Sequence, residues 1–353
     1  MKLNDIILKP SYKNLKFSNG LAPFRDSNNK WGYINEQGSI AIKPIYDFVS
    51  CFSEGIAAVG NFVSSRHYVD IKYINLNNEE LFNLANSFGE YGLFKNGICK
   101  TQNRYIDKNG LTPKQLKGVY AKSIFYDNNL AFVKALGNDL IINKKGEIIN
   151  NRSQDGKEIL NVYNSEYNEG VFKRRVSGPY GFNVDYSFFK LNSENDSIIE
   201  LYENNSFKHA SLFNEDVAVV GIKKNSRLKF INTKGQRIGS KIDKVWRYTH
   251  GTVNDGFILL RKDSLIYNYL NIKTRKYLFD TNSENSCTPF KEGMAKVWLK
   301  NSRTYGYFNT NGELVIDNKY DKGSDFYNGF ACVQINGEFQ YINKKGKVVY
   351  KFK

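Results

Sequence analysis

Lysine recurs at one turn position along this chain. Lys108, Lys144, Lys145, Lys234, Lys344 and Lys345 each sit in an Asn/Asp-x-x-Gly segment: Asp107–Gly110, Asn143–Gly146, Asn232–Gly235 and Asn343–Gly346. If the segments are equivalent turns of a stacked array, their ammonium groups line one rim and form a positive stripe. Lys173, Arg174 and Arg175 lie in sequence near Tyr180 and add a basic-aromatic cluster. The chemistry this pattern suits is docking of a polyanion or nucleic acid, by phosphate contacts and ring stacking. The competing reading is that lysines in turns and on sheet edges serve solubility, by discouraging edge-to-edge association.

Other reactive residues form no constellation. His67, His209 and His250 are scattered, without a zinc spacing, and no metal site is expected. No nucleophile elbow, P-loop or dinucleotide-binding glycine motif occurs, so the sequence predicts no cofactor and no catalytic residue. Asp47, Asp127 and Asp321 follow or flank tyrosines, where a carboxylate caps turn N–H groups. A hydrolase using two such carboxylates as a facing pair is a third reading. Cys51, Cys99, Cys287 and Cys332 are far apart, without a CxxC pair. They read as buried thiols rather than disulfides, which fits a reducing compartment. Met1-Lys-Leu-Asn-Asp has no apolar leader character, and no run approaches the length of a membrane span. The expectation is a cytoplasmic protein, unless a longer precursor carried a signal peptide.

The elements that would position these residues begin with composition. The chain has 353 residues, of which 41% are hydrophobic, enough for a packed core. Its apolar content is aromatic, 24 Tyr and 25 Phe against 2 Met, which favours pleated, partly buried surfaces. The net charge of +16 is spread along the whole length, so it suits polyanionic partners in general without marking a binding arm.

A unit of roughly 37 residues recurs about nine times. The clearest copy runs Phe17-Ser-Asn-Gly20-Leu-Ala22-Pro-Phe24, then Lys30-Trp31-Gly32-Tyr33-Ile34-Asn35 to Gly38, then Ile40-Ala-Ile42-Lys-Pro44-Ile-Tyr46-Asp47. Further copies start at Phe52, Phe94, Tyr126, Phe213, Phe290 and Phe326, with eroded ones at Tyr167 and Val253. Gly-x-Ala-x-Val alternates apolar with polar positions and predicts a half-buried strand. The Trp/Tyr-Gly-Tyr-Ile-Asn segment predicts a second strand, and Asn-Lys-Lys-Gly a tight hairpin turn. A third strand follows at Ser39–Ile42, Glu147–Ile149, Glu313–Ile316 and Lys347–Val349. Glycine directly after Trp31, Tyr180 and Tyr305 predicts close backbone approach.

Lys30-Trp31-Gly32-Tyr33-Ile34-Asn35, with Gly38, Pro44 and Tyr46-Asp47, resembles the WG (KWG) repeat of bacterial proteins. Tyr replaces Trp at Tyr305-Gly306. The resemblance implies a β-rich interaction module. One unit cannot bury its own aromatic face, so neighbours must stack. Ile6–Tyr12 matches Ile40–Tyr46, so the chain enters and leaves in mid-unit.

The predicted fold is therefore all-β: a tandem array of about nine three-stranded antiparallel meanders, either an open twisted superhelix or a propeller-like closed ring. Residues 1–149 hold repeats 1–4, residues 150–212 an irregular repeat, and residues 213–353 repeats 6–9, as one continuous repeat domain. The leading functional expectation is a non-catalytic scaffold for an unknown protein partner in a bacterium.

Overall fold

The computed structural model describes residues 15–63, 68–84, 91–127, 129–152, 159–161, 163, 165–177, 184–192, 197–202, 207–221, 228–239, 247–248, 252–261, 267–279, 286–299 and 302–352. These divide into two compact units, Met1–Pro113 with Phe290–Lys353, and Lys114–Pro289. Nine small antiparallel sheets account for the described strands, one for each repeat.

The first repeat is a plain meander: Leu21–Arg25, Trp31–Asn35 and Ile40–Tyr46 pair in order. Most other sheets carry a fourth, two-residue strand, such as Phe48–Val49 before Ile56–Val63 or Lys322–Gly323 before Phe330–Ile335. These short strands lie in the Tyr-Asp crossover, which the sequence marks only as a connection. Crossover and first strand are locked by a serine: Ser50 Oγ accepts from the Ala58 N–H at 2.9 Å, and Ser324 Oγ from the Cys332 N–H at 2.9 Å.

Several first strands are buried more fully than the half-burial that their alternation predicts. Leu21–Phe24, Ile56–Gly60, Leu130–Val133 and Ala218–Gly221 are buried at every position. The reason is stacking, because a sheet between two sheets has no solvent face. The alanine of the repeat (Ala22, Ala57, Ala131, Ala218, Ala295, Ala331) is the small residue that lets backbones approach there, and each is at most 1% exposed. The apolar clusters lie between successive sheets. One joins Ile56, Ala58 and Tyr73 of the second sheet to Phe94, Cys99 and Ile106 of the third. Another, in the second unit, joins Leu130 and Phe132 to Phe172 and Phe189. Within the region read as irregular, Ser165–Asn168, Val171–Ser177, Val184–Asn192 and Ser197–Glu200 pair as a four-stranded sheet.

In the first unit the last repeat packs on the first. Phe17 meets Phe330 at 4.3 Å and Tyr341 at 5.2 Å between ring centroids. The Tyr341 hydroxyl donates to the Pro23 carbonyl at 2.8 Å. Tyr33 does the same across the next joint, donating to Ser50 O at 2.7 Å, and Tyr307 donates to Ser324 O at 2.8 Å. The seam between the two ends of the described chain therefore uses the contact that joins ordinary neighbours. The N-terminal segment at residues 6–12 lies outside the described residues.

Candidate functional site

Two kinds of turn build much of the polar surface. The Asn-x-x-Gly hairpin is held by its first side chain: Asn343 Oδ1 accepts from the N–H groups of Lys345 and Lys347, both at 3.0 Å. Asn143 and Asn232 do the same in their turns, and so does Asp107 with a carboxylate oxygen. The closing glycine needs a left-handed backbone and has a second duty. Gly38, at φ +81°, sits so close to Val349 O of the last repeat that no Cβ would fit.

The glycine after Trp31 is a close-approach position, as expected. A Cβ on Gly32 would lie 2.8 Å from Pro44 N, and one on Gly306 2.5 Å from Ile316 O. Both lie where the pairing of second and third strands shifts register. Tyr180 and the residue after it lie outside the described residues.

A second turn type was missed by sequence reasoning. The Ser-Asn-Gly, Ser-Glu-Gly and Lys-Glu-Gly segments that precede each first strand are two-residue hairpins. Ser18 and Leu21 exchange both backbone hydrogen bonds, as do Ser53 with Ile56 and Lys291 with Met294. Their central residues have positive φ, as in Glu54 (+52°) with Gly55 (+79°). The first central side chain reaches the equivalent turn of the following repeat. Glu292 accepts from the N–H groups of Asn328 at 2.6 Å and Gly329 at 2.8 Å. Glu54 accepts from the Gly97 N–H at 2.9 Å, and Asn19 from the Gly55 N–H at 3.1 Å. In the second unit Glu169 holds the N–H groups of Glu215 and Asp216, and Glu215 in turn holds that of Gly256. The available signal was an acid or amide before the glycine in repeat after repeat, at a position where a plain strand start has no need of one.

These clamps sort the turn lysines. Lys108 pairs with Glu54 at 3.3 Å and Lys344 with Glu292 at 3.5 Å. Burial alone would raise both glutamates. The backbone N–H donors and the adjacent lysine outweigh it and hold each below the ordinary carboxylate value. Lys145, Lys234 and Lys345 occupy the other central turn position and are exposed. Lys144 is partly buried, and its carbonyl accepts from Gln115 Nε2 at 3.5 Å.

The basic triplet lies on one strand, Val171–Ser177, but its members do not act together. Lys173 pairs with Glu166 at 2.7 Å and lies over the Tyr186 ring. Arg174 is half-buried over the Phe189 ring and donates to Ile159 O at 2.9 Å, and its burial lowers its pKa. Arg175 is exposed.

Of the crossover aspartates, Asp47 accepts from Lys30 Nζ at 2.6 Å and from the Phe62 N–H at 3.0 Å, a capping arrangement. Among the described residues no group of His, Cys, Asp and Glu is placed to hold a metal ion. No described helix is long and apolar enough to cross a membrane. All four cysteines are buried, and none forms a disulfide.

Solved structures similar to the chain include BamB from Moraxella catarrhalis, at 8% identity and TM-score 0.37 over 94% of this chain and 91% of that one. Sqt1 from Saccharomyces cerevisiae matches at 12% identity and TM-score 0.39, over 83% and 81%. Hsv2p from Kluyveromyces lactis matches at 10% identity and TM-score 0.33, over 73% and 90%. No curated protein matches the chain. The family described as WG containing repeat matches the chain at three places, residues 2–31, 31–61 and 305–339, which cover the Trp31-Gly32 and Tyr305-Gly306 pairs.

Proposed function

We propose that this chain is a non-catalytic repeat scaffold that engages a protein partner in a bacterial cytoplasm. The observation that carries the reading is where the repeat's own polar groups go. The Tyr33 and Tyr341 hydroxyls, the crossover serines Ser50 and Ser324, the turn asparagines and the turn glutamates bond backbone within the repeat or in its neighbour. A repeat whose regular polar positions largely hold the stack leaves recognition to the surface between them. Affinity capture from native lysate with the full chain tests the reading: a specific, saturable protein partner is expected. Recovery of nothing above a scrambled-surface control overturns it.

The net charge of +16 supports a second reading, docking of a polyanion on the turn lysines. The pairing of Lys108 and Lys344 with glutamates narrows its carriers to Lys145, Lys234, Lys345 and Arg175. On this reading, replacing Lys145, Lys234 and Lys345 lowers the salt needed to elute the chain from heparin more than replacing Lys108 and Lys344. Passage through heparin at low salt ends it.

A further inference from the structure

Two hairpins of this chain share a frame and differ at the tip. In the ninth repeat Phe330–Ile335 turns into Glu338–Asn343 through Asn336 and Gly337, and Ile335 pairs with Glu338. In the fourth repeat Leu130–Ala135 turns into Asn138–Asn143 through Leu136 and Gly137, and Ala135 pairs with Asn138. Both central residues have positive φ in each turn, +51° and +83° in the ninth repeat, +50° and +81° in the fourth. Such a turn favours Asn-Gly, because asparagine adopts the left-handed backbone at low cost. The ninth repeat obeys that preference and the fourth does not.

Leu136 stands alone in this respect. Among the described residues, every other non-glycine position with positive φ holds Asn, Asp, Glu or Arg. A leucine there is strained, because its Cβ crowds the following carbonyl oxygen. It is also 97% exposed, so no burial offsets the strain. Asparagine would serve both the turn and its hydration better. The leucine becomes favourable only where its side chain leaves water.

A basic and aromatic row lies behind the tip. Tyr120 pairs with Lys134, two residues before Leu136, and directly opposite residues share a face. At about 3.3 Å per residue, the row sits about 7 Å behind the tip. Tyr120 is 48% exposed, and Lys134 is exposed. The Lys122 ammonium lies 5.7 Å from the ring centroids of both Tyr120 and Tyr163, and Tyr163 is 80% exposed. Asp139, opposite Lys134 on the next strand, offsets one of the two lysines. An apolar tip, then tyrosine rings with ammonium groups beside them, follows the layering of a lipid surface from acyl chains to anionic headgroups. Elements that lie on a membrane bury their apolar part roughly 5–10 Å into that boundary, which matches the distance from tip to row. A pocket in a partner protein would accept the leucine alone, whereas the rings and lysines behind it suit a broad anionic surface.

We propose that the Leu136-Gly137 tip inserts into the surface of an anionic bilayer, with Tyr120, Lys122 and Lys134 at the headgroups. The chain then lies on the membrane through one hairpin and does not span it. This goes beyond the scaffold reading and does not depend on it.

The test is cosedimentation of the full chain with vesicles of phosphatidylcholine alone, and of phosphatidylcholine with about one-third phosphatidylserine. The chain is expected to bind the mixed vesicles, to bind the neutral ones less, and to lose affinity as salt is added. Leu136→Asn should weaken binding about tenfold, with a urea midpoint equal to or above that of the unaltered chain, because the turn is relieved of strain. Lys122→Gln and Lys134→Gln should each weaken it about fivefold. In Leu136→Trp, emission should shift to the blue when mixed vesicles are added, by comparison with the unaltered chain. No sedimentation at about 1 mM mixed lipid, full affinity in Leu136→Asn, or unshifted emission in a vesicle-bound Leu136→Trp chain overturns the proposal. A Leu136→Asn chain that loses a protein partner in lysate capture but keeps its vesicle affinity makes the tip a protein contact, and that result also overturns it.

Discussion

Glu292→Ala removes one clamp between the eighth and ninth repeats and should destabilise the first unit by about 2 kcal/mol. The carboxylate accepts two backbone hydrogen bonds, from Asn328 and Gly329, and is approached by Lys344 at 3.5 Å. Hydrogen bonds to a charged group contribute roughly 1.5–3 kcal/mol each. Water reaches this surface turn once the side chain is gone and replaces part of both bonds, so the net loss of about 2 kcal/mol falls below their sum. The lysine adds little, because its side chain is 41% exposed and such pairs contribute at most about 1 kcal/mol. Glu292→Asn is the milder variant, at about half the loss. It keeps one acceptor, tolerates the positive φ of 53°, and reproduces the amide found at Asn19. Urea unfolding measured against pH gives the decisive comparison. The folded carboxyl titrates below its ordinary 4.5, because its N–H donors and Lys344 outweigh burial. Its contribution is therefore complete above pH 4.5 and is lost as the pH falls through the depressed folded value. The gap between the native chain and Glu292→Ala should close on acidification. A gap that is absent at pH 7, or that persists unchanged well below the folded value, refutes the clamp.

Two further outcomes follow from the turns and thiols. Gly38→Ala should destabilise by about 2–4 kcal/mol, since it adds backbone strain at φ +81° to a collision with Val349 O, while Gly20→Ala, with open space around it, should show only the strain of about 1 kcal/mol. Parallel urea titrations of the two variants check the difference. Burial pushes the Cys332 thiol up to about 12 and those of Cys99 and Cys287 to about 11, so a disulfide-exchange reagent at pH 8 should label them only after the chain is unfolded.

Much of the fold can be read from local chemistry. Asn-x-x-Gly and the alternating apolar segments specify turns and strands within a few residues, and both return in the structure at the expected places. Register-level detail is less accessible. The two-residue strands at Phe48–Val49 and Lys322–Gly323 exist because a neighbouring first strand offers an edge, not because their own residues demand it. The full burial of Leu21–Phe24 is likewise a property of stacking, as is the pairing of Lys344 with a glutamate 52 positions earlier. The early end of pairing at Ile141↔Ile149 is harder still to foresee, because Asn150 bonds Ile198 of the next sheet and Asn151 bonds Leu160, while nothing in Ile148–Ile149 signals it.

The seam between the last and first repeats makes a prediction of a different kind, because it couples residues more than 300 positions apart. Tyr341→Phe leaves the buried Pro23 carbonyl without its donor, at a cost of roughly 1–3 kcal/mol. Phe330→Ala removes the ring that lies 4.3 Å from Phe17 and should cost about as much. If the seam is a structural joint, that loss is shared by both sides of it. Amide exchange should then accelerate in Leu21–Asn35 of the first repeat as well as in Phe330–Asn343, by about tenfold for each 1.4 kcal/mol where exchange proceeds by opening of this joint. Tyr33→Phe is the matched control, since it breaks the equivalent bond to Ser50 O on the opposite side of the first repeat. It should accelerate exchange in the first and second repeats and leave Phe330–Asn343 less affected. The two variants thus distinguish a first repeat held from both sides from one held only by its successor in sequence. Acceleration confined to the ninth repeat in Tyr341→Phe would mean that the ends merely lie side by side, and that the Tyr341–Pro23 bond contributes nothing to holding them.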